Sequence, residues 1–118
     1  MDIEEIRNYC LKKKGVTESF PFDETTLVMK VKNKMFCLIA LDLPHGINVK
    51  CDPEKAVELR EKYEGVLPGY HMNKRLWNTI RINEIENSAL IKEWIDDSYE
   101  LVVNTLPRKV REELTNMD

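Results

Sequence analysis

Three short runs rich in apolar and β-branched residues follow one another at 26–32, 35–41 and 47–51. Only Asn33-Lys34 separates the first pair, and Leu43-Pro44-His45-Gly46 turns the chain between the second pair. A parallel crossover takes about a dozen residues or more, so connections this short enforce antiparallel neighbours. A two-residue turn at Asn33-Lys34 sets Val31 against Phe36, Met29 against Leu38 and Leu27 against Ala40, which makes one apolar face. The other face sets Lys32, Lys30 and Val28 against Met35, Cys37 and Ile39. It is half basic and half apolar, and part of it needs cover. In the third run Ile47, Val49 and Cys51 alternate with Asn48 and Lys50.

Helix signals bracket these strands. Asp2 with Glu5 three positions on forms a capping box, followed by the stripe Ile3, Ile6, Tyr9 and Cys10. Lys12, Lys13 and Lys14 suit the negative end of that helix, and Gly15 stops it. Asp52-Pro53 opens a second helix with the inner stripe Ala56, Leu59, Arg60 and Tyr63, ended by Gly65. A loop is expected over 66–73 and a strand over 77–82. Asn83 and Glu86 then predict a capping box for a long helix to about Thr105, with the stripe Leu90, Ile91, Trp94, Ile95, Tyr99, Val102 and Leu106. Pro107 permits a short last helix. The order α-β(3)-α-β(1–2)-α-α reads as an α+β fold, an antiparallel sheet packed with helices. At 118 residues and 42% hydrophobic content, the chain suits a single domain over 1–118.

Several function classes lack support. No apolar run approaches the ~20 residues of a membrane span, and residues 1–14 lack the apolar stretch of a signal peptide. Cys10, Cys37 and Cys51 are odd in number and widely spaced, which favours reduced thiols and a cytoplasmic location. Cys10 and Cys37 read as small hydrophobes. Cys51, flanked by Lys50 and Asp52, is the candidate reactive thiol. Phosphate-loop, nucleophile-elbow, paired-cysteine and His-Glu-x-x-His patterns are absent. The two histidines, His45 and His71, share no ligand spacing, so no metal or cofactor is expected. Asp96 and Asp97 sit about 100° apart on a helix and do not converge as a catalytic pair.

Charge is distributed unevenly. Residues 65–83 hold Lys74, Arg75 and Arg81 and no acid, so within a net charge of −3 the remainder carries −6. Tyr70, His71 and Trp77 interleave with those cations. Strand alternation turns Trp77, Thr79 and Arg81 outward and Asn78, Ile80 and Ile82 inward, with Lys30, Lys32 and Lys50 joining the outer side. One reading is a nucleic-acid surface, with lysine and arginine meeting phosphates while Trp77 or Tyr70 stacks on a base. The other is structural. Trp77 is then core, Tyr70 caps a turn, and Lys74 and Arg81 pair with acids of the third long helix. His71 divides the same way, between a general base and a loop pin.

The stretches Phe20-Pro21-Phe22, Met29-Lys30-Val31, Val49-Lys50-Cys51-Asp52-Pro53 and Pro68-Gly69-Tyr70-His71-Met72-Asn73-Lys74, then Trp77-Asn78-Thr79 and Ser98-Tyr99, occur in one order. Together they resemble the MmcQ/YjbR-like family over nearly the whole chain. The resemblance implies an α+β sandwich similar to type III secretion chaperones and the frataxin-like arrangement. It also implies a small, bacterial, cytoplasmic protein of a family commonly labelled DNA-binding. It brings no catalytic residues.

The expectation is therefore a non-enzymatic binding module. Its surface for DNA or another ligand would comprise Lys30, Lys32, Lys50, Tyr70, His71, Asn73, Lys74, Arg75, Trp77 and Arg81. The alternative is a chaperone-like protein-interaction module using the half-apolar face of Val28, Met35, Cys37 and Ile39.

Overall fold

The computed structural model describes residues 1–70 and 72–117. Among these, four strands follow the first helix, α1 (Ile3–Leu11): β1 (Val16–Ser19), β2 (Thr26–Val31), β3 (Lys34–Ala40) and β4 (Gly46–Lys50). Helix α2 (Pro53–Lys62), strands β5 (Val66–Pro68) and β6 (Trp77–Arg81), a short 3-10 turn (Ile82–Glu84), and helices α3 (Ser88–Val103) and α4 (Arg108–Thr115) complete the order. The strands form one antiparallel sheet, β1-β2-β3-β4-β6-β5. The α+β class and the alternation of helices and strands agree with the sequence. β1 adds a short edge strand for which no element was expected, and β5 adds one within the expected loop.

The caps explain the helix boundaries. Asp2 and Glu5 form the reciprocal capping box of α1. The Asp52 carboxylate accepts from the Glu54 and Lys55 amides ahead of α2. The long helix begins later than expected, at Ser88, capped by the Asn87 side chain on the Ala89 amide. Ile82 and Ile85 are both buried. Turning them into the core occupies residues 82–85, so a helix cannot start at Asn83.

The hairpin register differs from the expected one. The turn is Lys32-Asn33, both with positive φ (48° and 69°), as a type I′ hairpin requires. Val31 therefore faces Lys34, and Lys30 faces Met35. The register shifts between Met29 and Lys30, so Phe36 is an extra residue in β3 and Met29 faces Cys37. Cys37 and Ile39 thus join Leu27, Met29 and Phe36 in the main core, while Leu38 lies on the opposite face with Val28. This corrects the expected apolar face, in which Leu38 and Ala40 were inward.

The main core lies between the sheet and the helices. Ile6 and Cys10 of α1, Ile91, Trp94, Ile95 and Val102 of α3, and Leu114 of α4 pack against Ile47, Val49 and Ile80. Buried side chains of this size stabilise by about 1.5–3 kcal/mol each relative to exposure. Among the described residues, no helix packs into the cluster on the opposite sheet face. Met72 and Leu76, from the segment preceding β6, cover one end of it, where Val28, Leu38 and Trp77 form a second small core.

Candidate binding groove on the open sheet face

The remainder of that open face is a groove of about 470 Å³. Thr26, Leu38, Ala40 and Asn48 form its floor. Phe22 lies on one wall, Tyr70 and Met72 on the other, and Asp23 and Asp42 also line it. Phe22 is 63% exposed, Tyr70 70%, and Phe20 on the same loop as Phe22 50%. Large, mostly exposed aromatic rings around one concavity are uncommon on a monomer, and aromatics are enriched at interfaces.

Local hydrogen bonds hold each wall. Asp23 Oδ1 accepts from the amides of Thr25 (2.9 Å) and Thr26 (2.7 Å), which fixes the loop bearing Phe22 where β2 begins. Those amide donors hold the Asp23 carboxyl below the usual range. On the other side, the Tyr70 amide donates to Thr79 Oγ1 at 2.9 Å, and Thr79 Oγ1 donates to Asn48 Oδ1 at 2.5 Å. Gly69 makes this approach possible. A Cβ there would lie 2.8 Å from Trp77 Cβ and 2.9 Å from the Trp77 carbonyl oxygen, which accepts the Gly69 amide.

The expected basic and aromatic residues come together only in part. Lys30 is half-buried on the open face between Thr17 and Met35. Lys50 is half-buried opposite Trp77. Lys32 leaves this face, because the turn carries it 3.7 Å from Glu113 of α4. Trp77 is outward as expected but only 8% exposed, packed on Val28 and Leu38 and so unavailable for stacking on a base. Asn73 Oδ1 accepts the Arg75 amide, and Lys74 Nζ donates to the Gly69 carbonyl at 3.4 Å, so both serve the turn. Arg75 is exposed, and Arg81 pairs with Glu84 at 3.4 Å. His71 lies outside the described residues.

Two further expectations change. The half-apolar face loses Cys37 and Ile39 to the main core and keeps Val28 and Met35. Cys51 is buried, and that burial raises its thiol pKa, so it is not the activated thiol its charged neighbours suggested. Cys37 is also held in its thiol form, by its hydrogen bond with Cys10 and by burial. Among the described residues, no group of three His, Cys, Asp or Glu side chains could hold a metal ion.

The sequence reading missed Phe22, Asp23, Asp42 and Met72 as groove residues. Phe20-Pro21-Phe22 carried a signal, since two large aromatics sit in a segment with neither helical nor strand periodicity. It also missed Arg60, whose guanidinium donates to Asn78 Oδ1 (2.7 Å) and to the carbonyls of Lys74 and Trp77. Asn78 in turn donates to the Ala56 carbonyl at 3.4 Å. This network ties α2 to the segment behind Tyr70. An arginine within an apolar helical stripe was its only trace.

The family model YjbR matches residues 11–101. The uncharacterised protein YjbR of Escherichia coli (strain K12) is 30% identical over 118 residues, covering 99% of this chain and 100% of that protein. The uncharacterised protein YbdF of Escherichia coli O157:H7 is 34% identical over 107 residues, covering 90% and 88%. Among solved structures, Deinococcus radiodurans protein DR2400, of family-model domain DUF419, superposes with a TM-score of 0.90 at 33% identity, covering 98% of this chain and 89% of that one. A Pseudomonas syringae protein does so with a TM-score of 0.76 at 27% identity, covering 86% and 98%. With the fold, the ordered sequence stretches and these matches in agreement, the chain belongs to the YjbR family.

Proposed function

We propose that this protein is a non-enzymatic binding module whose open-face groove takes an extended peptide segment carrying both apolar and basic side chains. The exposed Phe22 and Tyr70 rings on opposite walls of one apolar groove carry this reading. Apolar side chains of the partner would fill the floor over Leu38 and Ala40, with the two rings as anchors. Asp23 and Asp42 line the groove and, among the described residues, no lysine or arginine does, which favours a cationic partner and opposes a phosphate backbone. The nucleic-acid reading of this face loses support with Trp77 packed over and Lys32 turned toward α4. A cytoplasmic location accords with three free cysteines.

Panning a random peptide library on the intact protein tests this. Enriched peptides should alternate apolar residues with Lys or Arg. They should lose at least tenfold in affinity to a Phe22→Ser/Tyr70→Ser variant and weaken against Asp42→Asn. Enrichment of acidic peptides, affinity unchanged in the double variant, or no enrichment at all would reject the proposal.

A further inference from the structure

A second concavity lies elsewhere, where the end of α1 meets the β2–β3 turn. It encloses about 540 Å³, and Lys12, Lys13, Lys14 and Lys32 line it together with Thr17 and Asn33. Among the described residues none that lines it is acidic, in a chain whose net charge is −3. The lysines come from segments some twenty positions apart, brought together because β1 follows α1 directly and pairs with β2 (Val16 with Val31).

The neighbours decide which of these charges can act. Lys13 Nζ is 2.5 Å from Asp96 and sits over the Tyr9 and Tyr99 rings, so its charge is already matched. Lys14 Nζ donates to the Thr115 carbonyl at 3.3 Å, a neutral partner, and makes no ion pair among the described residues. Lys32 meets Glu113 only at 3.7 Å, and that carboxylate is more than half exposed and easily displaced. Lys12 is exposed. Lys32 also occupies a left-handed backbone conformation (φ 48°) that disfavours side chains other than Asn, Asp or Gly. A lysine at that position, in a turn that lines the same concavity as three others, is a strained choice that a turn alone does not require.

We propose that this cleft is a phosphate-binding site, in which Lys12, Lys14 and Lys32 contact a phosphate-bearing ligand. Lysines act as point charges on phosphate and carry no planar base-reading geometry. Among the described residues no arginine and no aromatic ring lines the cleft, so the ligand is held through its phosphates and not through a base. The proposal does not depend on the peptide groove.

The test is titration of the ¹⁵N-labelled protein with inorganic tripolyphosphate, and in parallel with a short single-stranded oligonucleotide. Tripolyphosphate should shift the amides of Lys12, Lys14, Lys32 and Asn33, and Lys12→Gln/Lys14→Gln/Lys32→Gln should weaken it at least tenfold. Lys32→Gly should weaken binding while unfolding at the same temperature as the parent or higher, since it relieves the left-handed strain. That combination separates lost contact from lost fold. Arg75→Gln, on the open-face segment, should bind as the parent does. If the natural source is a nucleic-acid backbone, the oligonucleotide binds tighter than tripolyphosphate at the same amides and loses about twentyfold between about 50 and 200 mM salt for three contacts. If the source is a free polyphosphate, tripolyphosphate binds the tighter. Shifts absent from these amides with both probes, or affinity unchanged in the triple variant, would overturn the proposal.

Discussion

Replacing Ser98 by alanine should destabilise the protein far more than its small volume suggests. Ser98 is fully buried in α3. Its hydroxyl donates to the Phe36 carbonyl at 2.6 Å and accepts from the Lys50 amide at 2.8 Å. The β3–β4 ladder ends at Cys37 and Val49, and the extra residue Phe36 disrupts the pairing beyond it. The hydroxyl bridges the two backbone groups left over. Alanine would strand a carbonyl and an N–H away from water, and each lost buried partner costs about 1–2 kcal/mol, so the total is about 2–4 kcal/mol. With a urea m-value of about 2 kcal/mol/M, the unfolding midpoint falls by roughly 1–2 M. Urea denaturation followed by tryptophan fluorescence measures this. Hydrogen exchange at the Lys50 amide should accelerate beyond what the global loss explains. A loss below about 0.5 kcal/mol, the range of an uninvolved surface site, together with unchanged Lys50 exchange, would refute the bridging role.

Other consequences follow from the same geometry. Gly69→Ala places a Cβ 2.8 Å from Trp77 Cβ, so it should cost about 1–3 kcal/mol in thermal or urea unfolding and weaken any peptide that depends on Tyr70. Tyr9 is pushed up to about 12 by burial and by its hydrogen bond to Asp96. Its phenol should therefore stay protonated where an unfolded tyrosine ionises, near pH 10. The folded state keeps that proton while the unfolded chain loses it, so Tyr9's contribution to stability is complete below about pH 10 and falls toward pH 12. Ultraviolet titration of the protein and of Tyr9→Phe checks this. Cys51 should react with a disulfide reagent more slowly than a small free thiol at neutral pH, because burial keeps it protonated. Rapid reaction in the native state would contradict that. Arg7 Nη2 and Glu18 lie 2.6 Å apart, and this pairing lowers the Glu18 carboxyl. Its contribution is present above the ordinary glutamate pKa and is lost as pH falls below it, so Arg7→Gln should raise the pH of acid unfolding.

The helices were legible because their signals are local. Asp2 and Asp52 cap the turns that immediately follow them, and the apolar spacing of residues 90–106 repeats at 3.6. Neither needs knowledge of a distant residue. The central strands were legible for the same reason, and their short connections left antiparallel pairing as the only choice. The edge strands were not. Val16–Ser19 and Val66–Pro68 lack a strong apolar pattern and become strands because β2 and β6 offer them open edges.

What the sequence determined by itself is the order of the helices and central strands and the strand face of Trp77, Thr79 and Arg81, which follow from local period and pattern, and the family, which its ordered stretches resemble. The tertiary structure alone decided what those faces do. One misplaced turn residue and one bulge moved Leu38 to the open face and Lys32 away from it, because a register slip in a period-of-two structure exchanges the faces. Trp77 points outward as its alternation says, but it packs on Val28 and Leu38 of distant strands, with Met72 and Leu76 of the loop before it alongside, and no alternation along a strand encodes that packing. The two concavities have the same origin. Phe22 and Tyr70 lie 48 positions apart in the chain, and Lys14 and Lys32 lie 18 apart. Each pair meets across strands paired at a distance, so the sites exist only once the sheet has closed.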